Sequence, residues 1–90
     1  LGMIRQFQDS YFDGRHQSTA VGYSAPDFKA VSIAYGIPAQ TIESPDEVTS
    51  GLQFFFRDPS APALLQVMID PRANAYPKIA FGKPITEMEP

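Results

Sequence analysis

The apolar positions of this chain are spaced for helices and strands in turn. In "GMIRQFQDSYFDG", Met3, Ile4, Phe7 and Tyr11 recur three, four, seven and eight residues apart, the spacing of one helix face. The pattern predicts a first helix over 3–12, closed at Asp13 and Gly14, where glycine can take positive φ. Leu1 and Gly2 supply neither a capping side chain nor an acidic first turn, so the start reads as a cut within a longer sequence. From Arg15 to Ala25 no period persists, and a loop lying over a neighbouring surface is expected.

"PDFKAVSIAYGIP" predicts a second helix, with Pro26 at its first position, Asp27 on the N-terminal dipole, Phe28, Val31 and Tyr35 on one face, and Gly36 and Pro38 ending it. "AQTI" is a short strand. "SPDE" then opens a third helix, with Ser44 as cap, Pro45 at the first position and Glu47 completing a capping box. Val48, Leu52, Phe55 and Phe56 are expected to form its buried face as far as Arg57, with two of Phe54, Phe55 and Phe56 turned inward. After "DPSAP", the nearly unbroken apolar run "ALLQVMID" suits a strand covered on both faces.

Strand, helix and strand make a βαβ unit with parallel strands and a right-handed crossover. The fold class is therefore α/β: an incomplete three-layer unit of two parallel strands and three helices over residues 1–70, followed by an extended, proline-rich C-terminal tail over 71–90. Parallel sheets normally have more strands and helices on both faces, so further strands are expected elsewhere. The tail "PRANAYPKIAFGKPITEMEP" has four prolines and no clear period. It reads as a segment that leans on a larger body, the alternative being a frayed end.

Composition narrows the chemistry. Ninety residues carry ten acids and seven bases, a net charge of -3, with no basic run to follow phosphates or an anionic bilayer. This argues against nucleic acid and membrane partners. Apolar stretches fall far short of the ~20 residues a spanning helix needs, and without cysteine there is no disulfide framework or thiolate metal site. A cytoplasmic setting is the default. No phosphate loop, HExxH, GxSxG elbow or metal-spaced cluster occurs. His16 is the only histidine and reads as a loop residue; Asp46 and Glu47 are explained by the helix start. No catalytic residue and no metal ligand is predicted.

The words "LGMIRQFQDSYFDGR", "PDFKAVSIAYGIPAQTIES", "DEV", "ALLQVMID" and "YPKIAFGKPITEM" together resemble the C-terminal end of acetolactate synthases. That resemblance implies the second half of a domain that holds thiamine diphosphate through Mg²⁺. It places the chain just after the family's Gly-Asp-Gly to Asn-Asn metal motif, neither half of which is present. It also implies that Gly2, Met3 and Ile4 lie beside the cofactor, and that Met3 and Phe7 line the substrate pocket, where plain core packing is the alternative. At the Phe7 position the biosynthetic enzymes usually carry Trp, which leaves the acceptor open.

Implied for the parent enzyme are decarboxylation of a 2-oxo acid, ligation to a second carbonyl, and homo-oligomeric assembly. Its activating glutamate, and any FAD, would belong to other domains of the parent chain. The isolated chain is expected to bind no cofactor, to be inactive, and to self-associate. The alternatives are a thiamine-diphosphate-dependent 2-oxo-acid decarboxylase or another carboligase and, from a different class, a non-catalytic interaction or regulatory module.

Overall fold

A computed structural model describes residues 1–90. It contains three α-helices, α1 (Gly2–Tyr11), α2 (Phe28–Ala34) and α3 (Val48–Phe56), and two strands, β1 (Ala39–Ile42) and β2 (Leu64–Val67). Single 3-10 turns lie at Pro45–Glu47 and Ile85–Glu87. Two compact units form: Leu1–Tyr23 with Pro71–Pro90, and Ser24–Asp70.

In the second unit β1 and β2 pair in parallel, with Ala39 opposite Leu64 and Ile42 opposite Val67, and α3 is the crossover between them. Alternation along a strand puts Ile42 and Leu65 on one face and Thr41 and Gln66 on the other. Gly51 of α3 lies over Ile42 and Leu65, whereas the Lys29 N–H of α2 donates to Gln66 Oε1 at 3.2 Å. The helices therefore cover opposite faces, giving the small three-layer α/β unit that the hydrophobic pattern predicts.

The inward faces are narrower than expected. Ile42, 4% exposed, is the only buried hydrophobic residue. Against the sheet α2 buries Ser32 rather than Phe28, Val31 or Tyr35, and α3 buries Gly51 rather than Val48 or Leu52. Strands spaced ~4.8 Å apart make a sheet of two narrower than one ~10 Å helix, so only the central line of each helix meets it and the large flanking residues overhang. Phe54 and Phe55 are half-buried and Phe56 is 69% exposed, so two of the triplet turn inward as expected, but the outward one is Phe56, which the spacing assigns to the buried face, and Phe54 takes its place.

Local chemistry explains the boundaries. Asp27 is itself the cap of α2, its Oδ1 accepting from Ala30 N–H at 3.2 Å, so Pro26 lies just outside. Gly36, at φ 76°, lets the chain leave the helix. The third helix begins as a 3-10 turn, Ser44 C=O accepting from Glu47 N–H at 3.1 Å. In place of a full capping box, the Glu47 carboxylate accepts from Glu43 N–H at 3.3 Å and from the Ser44 hydroxyl at 3.1 Å. Beyond α3, Asp58 accepts from the Ser60 hydroxyl at 2.6 Å and from Ser60 N–H at 3.0 Å, and these bonds hold its carboxyl below the ordinary 3.8.

Candidate functional site

The first unit is built around α1. Its start has no side-chain cap and no acidic residue in the first turn. The N–H groups of Gly2, Met3 and Ile4 precede the first intrahelical bond, from Arg5 N–H to Leu1 C=O at 3.0 Å, and such groups are free donors. A side chain at Gly2 would meet nothing within 4 Å, so the backbone there is open to close approach. At its other end, Gly14 N–H returns to Gln8 C=O at 3.1 Å, with Asp13 and Gly14 both at positive φ.

Along one face of α1, Met3, Gln6, Phe7, Ser10 and Tyr11 form a wall of a cleft of about 330 Å³; Ala75, Pro77, Lys78, Ile79 and Phe81 form the other. Phe7 is central to an aromatic group, its ring 4.7 Å from Tyr11, 5.9 Å from Phe12 and 6.3 Å from Phe81 between centroids. Of the residues singled out from the sequence, Met3 and Phe7 come together in this cleft, one helical turn apart. Gly2 sits at the helix start above them, and Ile4 points to another face of α1, outside the lining.

The second wall is not a free tail. Gln6 Nε2 donates to Ala75 C=O at 3.2 Å and its Oε1 accepts from Ala75 N–H at 2.8 Å. Phe81 N–H donates to the Tyr11 hydroxyl at 2.7 Å. Arg5 reaches Asn74 Oδ1 at 3.0 Å and Ala73 C=O at 3.3 Å while pairing with Asp9 at 3.0 Å. Lys78 and Glu89 exchange both backbone bonds, at 3.0 and 2.7 Å, and pair through their side chains at 3.4 Å. Sequence reasoning missed this wall. The available signal was Gln6, a large polar residue beside the apolar 3, 7, 11 stripe.

On the opposite side of α1, His16 Nε2 lies 2.6 Å from Asp9 Oδ1, and Gln8 accepts from the Thr19 hydroxyl and donates to Gln17 C=O. The predicted loop is thus tied to the helix it follows. No group of three or more His, Cys, Asp or Glu side chains is placed to hold a metal ion, and no helix is long and apolar enough to cross a membrane.

Residues 1–67 match the family model described as the thiamine pyrophosphate enzyme, C-terminal TPP binding domain. The chain belongs to this family. It is 34% identical over 97% of its length to the acetolactate synthase large subunit of Pyropia yezoensis, and 34% identical over 98% to that of Haemophilus influenzae. To the large subunit of acetolactate synthase isozyme 2 of Escherichia coli it is 35% identical over 98%. It spans 15%, 15% and 16% of those proteins. The α1 wall of the cleft therefore lies within the matched thiamine pyrophosphate-binding region, the 75–81 wall lies beyond it, and the chain spans only a small part of the relatives' length.

Proposed function

We propose that the chain is the C-terminal part of a thiamine-diphosphate-dependent carboligase that decarboxylates a 2-oxo acid and joins the remainder to a second carbonyl. The observation that carries this reading is the shared cleft: Met3 and Phe7 face it together, directly below a helix start with free N–H groups, in a chain of a thiamine pyrophosphate-binding family. The uncapped start and the open space at Gly2 suit a diphosphate, since free N–H groups and the helix dipole favour an anion. Gly2, Met3 and Ile4 are the residues proposed to lie beside it.

Mg²⁺ would take its ligands from residues outside these ninety, and any FAD would belong to another domain of the parent chain. When bound, thiamine diphosphate supplies the nucleophile and the electron sink for decarboxylation. The contribution of this chain is positional. Met3, Phe7, Ile79 and Phe81 exclude water and present apolar surface to the substrate's alkyl group, and Phe7 shapes the space left for the acceptor. The ninety residues alone are proposed to be inactive, because a helix start is worth only ~0.3–1 kcal/mol to an anion at an exposed site, against about 8 kcal/mol for micromolar affinity. The overhanging residues of α2 and α3 and the unpaired edges of β1 and β2 are proposed to be covered by the rest of the parent chain or a second copy of it.

A second reading, 2-oxo-acid decarboxylation without ligation, draws support from Phe7 itself, which lacks the indole of the usual Trp and so alters acceptor contacts. Product analysis separates the two. The full-length protein, supplied with a 2-oxo acid, thiamine diphosphate and Mg²⁺, is expected to yield a branched 2-hydroxy-3-oxo acid. A free aldehyde as sole product would select the second reading, and the absence of both aldehyde and any ligated product, the acyloin formed on an aldehyde acceptor included, would overturn both.

A further inference from the structure

The cleft is lined mostly by apolar side chains, yet the element fixing the distance between its walls is polar. Residues 75–81 belong to no ladder apart from the single Lys78–Glu89 bridge, so α1 side chains must set their position. At the far end of the wall the exposed Phe81 N–H donates to the Tyr11 hydroxyl at 2.7 Å, while the Phe81 ring contacts with Phe7 and Tyr11, both at 6.3 Å, are attractive but weakly directional. Gln6 is different. It is 8% exposed, and a buried amide is tolerated when its donor and acceptor are both satisfied. Both bonds go to the N–H and C=O of one residue, Ala75, so Gln6 fixes register as well as distance.

We propose that Gln6 is a positioning residue that holds the 75–81 wall at the separation from Met3 and Phe7 required by the ligand of this cleft. The proposal rests on the reading of the cleft as a substrate site. Its consequence is that wall position, and with it substrate affinity, should become pH-sensitive when the amide is replaced by a carboxyl. Protonated glutamate can donate to Ala75 C=O and accept from Ala75 N–H, as the amide does; the carboxylate has no donor and places negative charge against the carbonyl. Burial and that carbonyl favour the neutral form, moving the carboxyl above its usual ~4.3. The charged or titratable groups that the structure places around the two walls are Arg5, Asp9 and Tyr11 on α1, and Lys78 with its partner Glu89 on the facing segment. All are present in the wild type, so the ratio of variant to wild type isolates residue 6.

The test uses the full-length protein with Gln6→Glu and Gln6→Met, reading the protection factor of the Ala75 amide and the KM and kcat for a 2-oxo acid between about pH 5 and 8. In Gln6→Glu, protection and KM should be near wild type at the acid end. At the alkaline end both should worsen by about tenfold or more, the size of one lost buried hydrogen bond, with kcat less affected. Gln6→Met should carry that loss at every pH. Wild-type protection and KM throughout for Gln6→Glu would overturn the proposal, as would lost protection with unchanged KM, which would reduce Gln6 to a fold contact. If the wild type turns over no 2-oxo acid, the functional reading fails, while the exchange arm still decides whether Gln6 holds the wall.

Discussion

Gly51→Ala sets two effects of opposite sign against each other at the centre of the sheet. Alanine should gain ~1 kcal/mol over glycine from helix propensity alone. Its Cβ, however, would lie 2.6 Å from Ile42 Cδ1, 2.8 Å from Ile42 Cγ1 and 3.4 Å from Leu65 Cδ1, where carbon atoms prefer ~3.5–4.0 Å. Ile42 is the one buried hydrophobe of its unit and is flanked by β2, so relief requires α3 to lift or Ile42 to leave its rotamer, at ~1–3 kcal/mol. The steric term should win, with a net loss of ~1 kcal/mol or more.

Ile42→Val removes Cδ1 and alone should cost ~0.5–1.5 kcal/mol. In the double variant the new methyl enters the vacated space. The Cγ1 contact still has to yield by several tenths of an ångström, so recovery is partial. The pair should nonetheless be more stable than the sum of its parts by ~1 kcal/mol or more. Exchange of the amides that close the sheet, Met68 N–H to Ile42 C=O at 2.9 Å and Leu64 N–H to Pro38 C=O at 3.0 Å, measures this locally in the full-length protein. Gly51→Ala slowing exchange, together with strict additivity, would mean that α3 does not cross the sheet at Gly51.

Three further outcomes are expected. Asp27→Ala should destabilise α2 by ~1 kcal/mol, and Asp27→Ser much less, because only the cap bond to Ala30 N–H is removed; exchange of the Ala30 and Val31 amides reports it, and equal effects would refute the cap. Phe7→Trp and Phe7→Ala should change the product ratio between two competing acceptors by an amount equivalent to ~1–3 kcal/mol; an unaltered ratio from folded variants would make Phe7 ordinary wall packing. The Asp58 carboxyl should titrate below 3.8 by carboxyl NMR and move up towards it in Ser60→Ala. Because its folded value is depressed, the stabilisation it lends is present above the unfolded value and is lost as pH falls through the folded one. A wild-type midpoint at or above 3.8 would contradict the Ser60 bonds.

The elements legible in the sequence were those defined by period and punctuation: α1 from its 3, 4, 7, 11 spacing, α2 between Asp27 and Gly36, and two strands from "AQTI" and the apolar run. β2 is shorter than that run because only the residues opposite the four of β1 can pair. Which side of each helix turns inward was not legible, since a sheet of two strands rewards a small residue such as Ser32 or Gly51 over the largest apolar ones. Half of the cleft was legible, through Met3 and Phe7. The other half, 75–81, carries no period because side chains of α1 hold it rather than a ladder of its own, and only the misplaced polarity of Gln6 hinted at it.

In the proposed function, the first turns of α1 and the facing 75–81 wall enclose the cofactor and substrate end of a larger enzyme. Deuterium exchange of the full-length protein, compared with and without thiamine diphosphate and Mg²⁺ at concentrations that saturate binding by calorimetry, tests it most directly. Slowed exchange is expected in the first turns of α1 on cofactor addition, extending to residues 75–81 when a non-reacting 2-oxo acid analogue is added. Saturated binding with exchange unchanged in both segments would contradict it.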